Sequence, residues 1–305
     1  MTSFVFPGQG SQSVGMGKDL CDNFAEARAV FEEAGDAISG DMKALCFDSD
    51  EQTLSLTFNA QPAILTVSIA ALAVLRSEKD IKPGFVAGHS LGEYSALVCA
   101  GAIDFADAVR TVRERGRFMQ ETVAAGDGAM AAIIGLGREE VGNICKECSE
   151  DGGGVWPANY NSPEQTVISG VAGAVERTSA TALERGAKRA IPLKVSAPFH
   201  CPLMKPAAEK LAGFLEGVAI GDVEIPVVTN LHAEENSDPA KVKGILLDQI
   251  TNPVRWTESV SRMAEKGTDR FIEIGPGRAL CGLIRRTAAG AETLNLEMAE
   301  QLNRI

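Results

Sequence analysis

Gly84-Phe85-Val86-Ala87-Gly88-His89-Ser90-Leu91-Gly92-Glu93 is the stretch that decides the fold. Gly84 to Gly88 reads as a short apolar strand. Leu91 to Ala100 reads as a helix of small and apolar residues that stops at Gly101. Between them, Gly88-His89-Ser90-Leu91-Gly92 fits the pattern G-x-S-x-G. A serine on so sharp a strand-to-helix turn is forced outward, and its flanking glycines leave room where the chain bends. Such a serine is also a favoured helix cap, so the bare pattern leaves several enzyme classes open.

Working outward, the same alternation recurs. Ser3 to Phe6 is a strand that runs into the turn Pro7-Gly8-Gln9-Gly10-Ser11-Gln12. Pro62 to Leu75 is a buried helix opened by a proline. Phe271 to Ile274 is a strand ending in Gly275-Pro276-Gly277, followed by a helix over Arg278 to Arg286. Strands separated by helices predict an α/β fold on a largely parallel sheet, similar to an α/β-hydrolase core.

One stretch has a different rhythm. Met130 to Leu136, Val155 to Tyr160, Gln165 to Ser169 and Arg189 to Val195 read as strands. Arg138 to Cys148 and Ala174 to Arg185 read as helices. The order β-α-β-β-α-β is that of a ferredoxin-like unit. It is placed as a small domain over residues 127–197, inserted in a large catalytic domain made of residues 1–126 and 198–305.

Composition narrows the function. Of 305 residues, 45% are hydrophobic and 23% charged, as in ordinary globular proteins. The start carries no basic leader or long apolar core, and Pro62 to Leu75 is too short to span a bilayer. The expectation is a cytoplasmic monomer that meets no membrane. A net charge of −12 argues against nucleic acid. Seven irregularly spaced cysteines argue against a disulfide framework. Cys145-Lys146-Glu147-Cys148 has no second pair to complete a metal site, so no metal is expected.

Three histidines are available to serve Ser90. His200 lies in Ser196-Ala197-Pro198-Phe199-His200-Cys201-Pro202, where two prolines stiffen the loop and fix the direction of the imidazole. A neutral imidazole there could take the serine proton and return it to a leaving group, although spacing alone favours a satisfied packing residue. His89 braces the elbow, and His232 sits in a polar loop. No aspartate stands out as a third member. The Leu91 amide at the helix start is placed to bind a developing oxyanion. A second donor could come from Gly8-Gln9-Gly10, which alone reads as an ordinary tight turn.

Taken together, these segments resemble the malonyl-CoA:acyl carrier protein transacylases of fatty-acid synthesis and the related acyltransferase domains of polyketide synthases. The resemblance runs through Phe6 to Gln12, Gly88 to Glu93, Arg115-Gly116-Arg117-Phe118-Met119-Gln120 and Asn159-Tyr160-Asn161-Ser162-Pro163. It continues through Ala197 to His200, Gln249 to Trp256 and Glu273 to Gly277. It implies that Ser90 carries the acyl ester, that His200 is base and acid, and that the Gln9 and Leu91 amides form the oxyanion hole. It further implies that a carbonyl near Gln249 orients the histidine, and that Arg115 binds the malonyl carboxylate. Phe199 would crowd a methyl branch, and Asn161 and His89 would line or brace the pocket. Arg115 makes physical sense in that role, since a planar guanidinium can hold a carboxylate by two parallel bonds. On its helix it nonetheless looks like its neighbours Arg110, Arg113 and Arg117.

The implied reaction is ping-pong transfer of malonyl from malonyl-CoA to the phosphopantetheine thiol of acyl carrier protein, with no permanently bound cofactor. Lys188, Arg189, Lys194, Arg285 and Arg286 are candidates for a basic rim that meets the carrier. The rival readings are a loading acyltransferase of a polyketide pathway, a serine thioesterase or hydrolase, and a catalytically silent carrier-binding protein.

Overall fold

The structure is a computed structural model that describes residues 1–124, 126–149, 154–195 and 197–305. Ser196, in the histidine loop, lies outside the described residues. The described strands are β1 (Thr2–Phe6), β2 (Phe85–Gly88), β3 (Gly128–Ile134), β4 (Val155–Ser162), β5 (Gln165–Val171), β6 (Arg189–Pro192), β7 (Val227–Val228), β8 (Glu235–Asn236), β9 (Arg270–Ile274) and β10 (Glu292–Leu296). They form a six-stranded sheet in the order β10-β9-β1-β2-β7-β8 and a four-stranded sheet in the order β4-β5-β3-β6.

The large sheet is parallel from β10 to β7, with only β8 antiparallel at its edge. It is buried on both faces, so its strands read as continuous apolar runs rather than alternating ones. Within β1, Phe4 and Phe6 point into one core and Val5 into the other, the two-residue period of a strand. The second sheet is antiparallel throughout. With the helices Arg138–Ser149 and Ala172–Glu184 it encloses a separate apolar core around Ile133, Ile144, Val155 and Ile168. The α/β class and the ferredoxin-like strand order expected from the sequence are both present.

Two elements depart from expectation. The helix expected over Pro62 to Leu75 spans Thr57–Glu78, 22 residues, so it is long and apolar enough by composition to cross a membrane. It is instead a core helix, with 83% of its most apolar window buried inside the fold. Its extra first turn is anchored by tertiary contacts. Gln120 Oε1 accepts the Thr57 N–H at 2.9 Å, and Gly116 lets the neighbouring helix Phe105–Thr122 approach that backbone within contact. The second departure is β6, expected to reach Val195, which ends at Pro192. After one further bond, Leu193 N–H to the Met130 carbonyl at 2.9 Å, the chain leaves the sheet and turns toward Ser90.

Candidate active site

The loops after β1 and β2 and the stretch after β6 converge on one cavity of about 370 Å³. Its floor is the elbow. Ser90 has φ 52°, a left-handed conformation that a non-glycine residue holds only when its surroundings enforce it. The enforcing contacts are visible. Asn230 Oδ1 accepts the Ser90 N–H at 2.7 Å, and Asn230 Nδ2 donates to the Gly88 carbonyl at 2.7 Å. A Cβ on Gly88 would collide with the Gly92 backbone, and one on Gly92 with the Phe6 carbonyl, so the elbow closes only with glycines there. Gly8 lets the loop after β1 press against the His89 carbonyl, so the close approach expected toward substrate is made toward the elbow.

His200 is also left-handed, at φ 57°, and 3% exposed. Its Nδ1 lies 2.9 Å from the Gln249 carbonyl, which can only accept, so Nδ1 carries the proton. That leaves Nε2 as an acceptor for the Ser90 hydroxyl, 2.7 Å away. Burial, and secondly the Arg115 charge, push the His200 pKa down to about 3, so the imidazole stays neutral at physiological pH, with Nε2 free to accept a proton.

Arg115, from the helix Phe105–Thr122, is 1% exposed. Its Nη1 donates to Gln61 Oε1 at 2.7 Å. Its Nη2 donates to Gln249 Oε1 at 2.9 Å and to Ser90 Oγ at 3.2 Å. All three acceptors are neutral, and Nε is buried without a partner. Such a guanidinium beside the serine is a ready site for an anion. Burial lowers its pKa.

The other expected residues divide. Gln9, Leu91 and Phe199 line the cavity. Among the described residues, neither the Gln9 nor the Leu91 N–H is engaged by another protein group. His89 also borders the cavity, and its Nε2 meets Asn161 Oδ1 at 2.8 Å while its ring leans on Trp256. Asn161 therefore braces His89, and the strand residue that faces the cavity is Asn159. His232 is exposed. Sequence reasoning missed Gln61, Met119 and Asn159 in the lining, and the buried pair Glu93 and Asn230 beneath it. Glu93 lies inside the quoted elbow motif, which was the available signal.

Two other features carry no chemistry here. The broader groove of about 840 Å³, flanked by Arg138, Trp156 and Tyr160, contains none of these residues. Cys145 and Cys148 are buried free thiols, and burial pushes Cys145 up to about 12, away from reactivity. Among the described residues no cluster of three or more His, Cys, Asp or Glu is placed to hold a metal.

This geometry has close counterparts. The acyl transferase domain family matches residues 3–302. The malonyl CoA-acyl carrier protein transacylase of Bacillus subtilis is 48% identical over 300 residues, covering 98% of this chain and 94% of that protein. An acyl carrier protein S-malonyltransferase structure from Vibrio cholerae superposes with a TM-score of 0.96 at 45% identity, covering 99% of both chains. A malonyl-transacylase solved with a type II polyketide acyl-carrier protein superposes at 0.97 and 45% identity, covering 99% of this chain and 97% of that one. A nucleophile elbow, a carbonyl-oriented histidine and a match from residue 3 to residue 302 lead to one conclusion: this chain belongs to the acyl transferase family and is an acyltransferase.

Proposed function

We propose that the chain transfers a malonyl group from malonyl-CoA to the phosphopantetheine thiol of acyl carrier protein, through an ester on Ser90. The observation that carries the reading is Arg115, a buried guanidinium held by neutral oxygens 3.2 Å from the Ser90 hydroxyl. A thioester whose carbonyl sits at Ser90 would bring a carboxylate two carbons away against that charge. The relatives named above act on the same acyl group.

His200 Nε2 takes the Ser90 proton as Oγ attacks the thioester carbonyl. The Gln9 and Leu91 amides receive the negative oxygen that forms. As the tetrahedral centre collapses, the C–S bond breaks and His200 returns the proton to the departing coenzyme A sulfur. The carrier thiol then enters, loses its proton to His200 and attacks the ester. Ser90 leaves and recovers its proton from His200. Throughout, the Gln249 carbonyl keeps the imidazole in one tautomer, the task an aspartate performs in other serine enzymes.

The division of the chain into a large unit and an insert over residues 127–197 belongs to this reading, with the cleft between them admitting the pantetheine arm. So do a cytoplasmic monomer, the absence of a resident cofactor, and a carrier-facing rim that includes Arg189 and Lys194. Both rim residues are exposed, and Lys194 borders the cavity. The polyketide-carrier neighbour favours one second reading, loading of a polyketide carrier. Purified enzyme given malonyl-CoA and an equimolar pair of fatty-acid and polyketide carriers decides among these. Malonyl on the fatty-acid carrier supports the proposal, preference for the other carrier supports the second reading, and free malonate as main product would mark a hydrolase.

A further inference from the structure

Directly beneath the nucleophile, the mechanism leaves the buried carboxyl of Glu93 without a task. Glu93 is 1% exposed and lies three residues past the nucleophile. Its Oε2 accepts from Gln249 Nε2 at 2.8 Å and from the Asn230 N–H at 3.0 Å. Burial pushes its carboxyl up to about 7, against the lowering effect of those two bonds.

The side-chain amide of Gln249 has two unlike ends, and here they face unlike surroundings. Nε2 faces three oxygens: Glu93 Oε2, the Ser90 carbonyl at 3.1 Å and Asn230 Oδ1 at 3.5 Å. Oε1 faces Arg115 Nη2 at 2.9 Å. A half-turn of the amide would set oxygen against oxygen on one side and NH₂ against guanidinium on the other. Each mismatch of that kind leaves a buried polar group unsatisfied, which is costly. The carboxyl group makes the shortest of the three bonds to Nε2, and in its ionised form it is the strongest acceptor of the three.

We propose that Glu93 is a positioning residue for recognition of the acyl carboxylate: by holding Gln249 Nε2 it turns Gln249 Oε1 toward Arg115, and so fixes the guanidinium where that carboxylate docks. The inference rests on the reading of Ser90 and Arg115 given above. With Nη1 on Gln61 and Nη2 on Gln249, both ends of the guanidinium are tied. Removing the Gln249 oxygen would release one end.

Glu93 has a second branch. Through the Asn230 backbone it supports the side chain that holds the Ser90 N–H. Losing Glu93 therefore weakens the elbow for every acyl group, and weakens carboxylate recognition in addition. The second effect is the signature, and a merely structural role would not produce it.

The test is the kcat/KM of Ser90 acylation by malonyl-CoA and by acetyl-CoA, followed by intact-protein mass. Glu93→Ala should lower the malonyl-to-acetyl ratio by at least about tenfold, mainly through KM for malonyl-CoA, as expected for loss of one buried bond to a charged group. Glu93→Gln keeps an acceptor for both donors and should hold the ratio within about threefold of wild type, the size of a retained bond. If Glu93→Ala is insoluble, Glu93→Met, of similar length and without an oxygen acceptor, takes its place. An unchanged ratio in Ala or Met would overturn the proposal, and so would a Gln variant as impaired as Ala. Wild-type enzyme that treats the two thioesters alike would instead defeat the underlying functional reading.

Discussion

Arg115 and Arg117 stand two residues apart on one helix and occupy opposite chemical worlds. Arg117 points to solvent and pairs with Glu114 and Glu121. Arg115 points into the cleft, is 1% exposed, donates to neutral oxygens of Gln61, Gln249 and Ser90, and lies over the Tyr94 ring. The exposed pair is satisfied and screened, worth about 0–1 kcal/mol. The buried cation is under-neutralised and gains from any anion that reaches it. The two environments are set by which face of the helix each arginine takes, and not by side-chain type.

The comparison can be broken at several strengths. The largest effect belongs to the atom both readings depend on: Ser90→Ala should reduce transfer roughly 10⁴-fold or more, measured as malonyl-carrier formed per minute. Next, Arg115→Ala should cost malonyl-CoA roughly 2–5 kcal/mol in kcat/KM, as for a broken buried charge contact, and cost acetyl-CoA little. Arg117→Ala, the outer-face control, should leave both substrates as in wild type. Equal losses for the two thioesters in the Arg115 variant would reduce that residue to a structural role.

A smaller effect concerns pH. Burial and Arg115 lower the His200 pKa, so the free enzyme's base resists protonation well below the usual histidine range. Acylation kcat/KM should change less than about threefold from roughly pH 8 to roughly pH 5, since the acid limb of kcat/KM reports the free enzyme's base and protonation of Glu93 within that window leaves it an acceptor, as in Glu93→Gln. A limb centred near 6.5 would contradict this. The same shift makes the fold less stable as pH falls below about 6.5, because the unfolded chain then binds a proton that the folded one refuses. The smallest effect is expected at the rim. Arg189→Glu should raise KM for the carrier about threefold to tenfold with little change for malonyl-CoA, because rim charges act mainly on encounter.

Legibility followed the range of the interactions. The elbow is readable because strand, turn and helix are contiguous and Gly88 is dictated by a collision within the turn itself, although Gly92 answers to Phe6 on the neighbouring strand. The ferredoxin-like order was readable because each of its elements carries its own period. Asn230 was not readable, because the bond that makes it matter spans 140 residues to Ser90. Neither was Gln249 as a hub, since its side chain joins Arg115, Glu93 and the Ser90 carbonyl from an unremarkable helix. The resemblance implies that Asn161 lines or braces the pocket, and only three dimensions separate the two roles: Asn161 Oδ1 meets His89 while Asn159 faces the cavity. The two-residue strands β7 and β8 are too short to carry any periodicity. The first turn of the core helix was hidden by Pro62, whose helix-breaking signal is overridden by contacts from Gln120 and Gly116.

The central claim is that Ser90 becomes an ester donor because His200 and two backbone amides converge on it while Arg115 selects a carboxylated acyl group. Intact-protein mass spectrometry after brief exposure to malonyl-CoA, with peptide mapping, tests it most directly. The account predicts one malonyl group on Ser90, absent from Ser90→Ala, discharged when carrier thiol is added, and formed far more slowly in Arg115→Ala. Full transfer to the carrier with Ser90 never modified would contradict it.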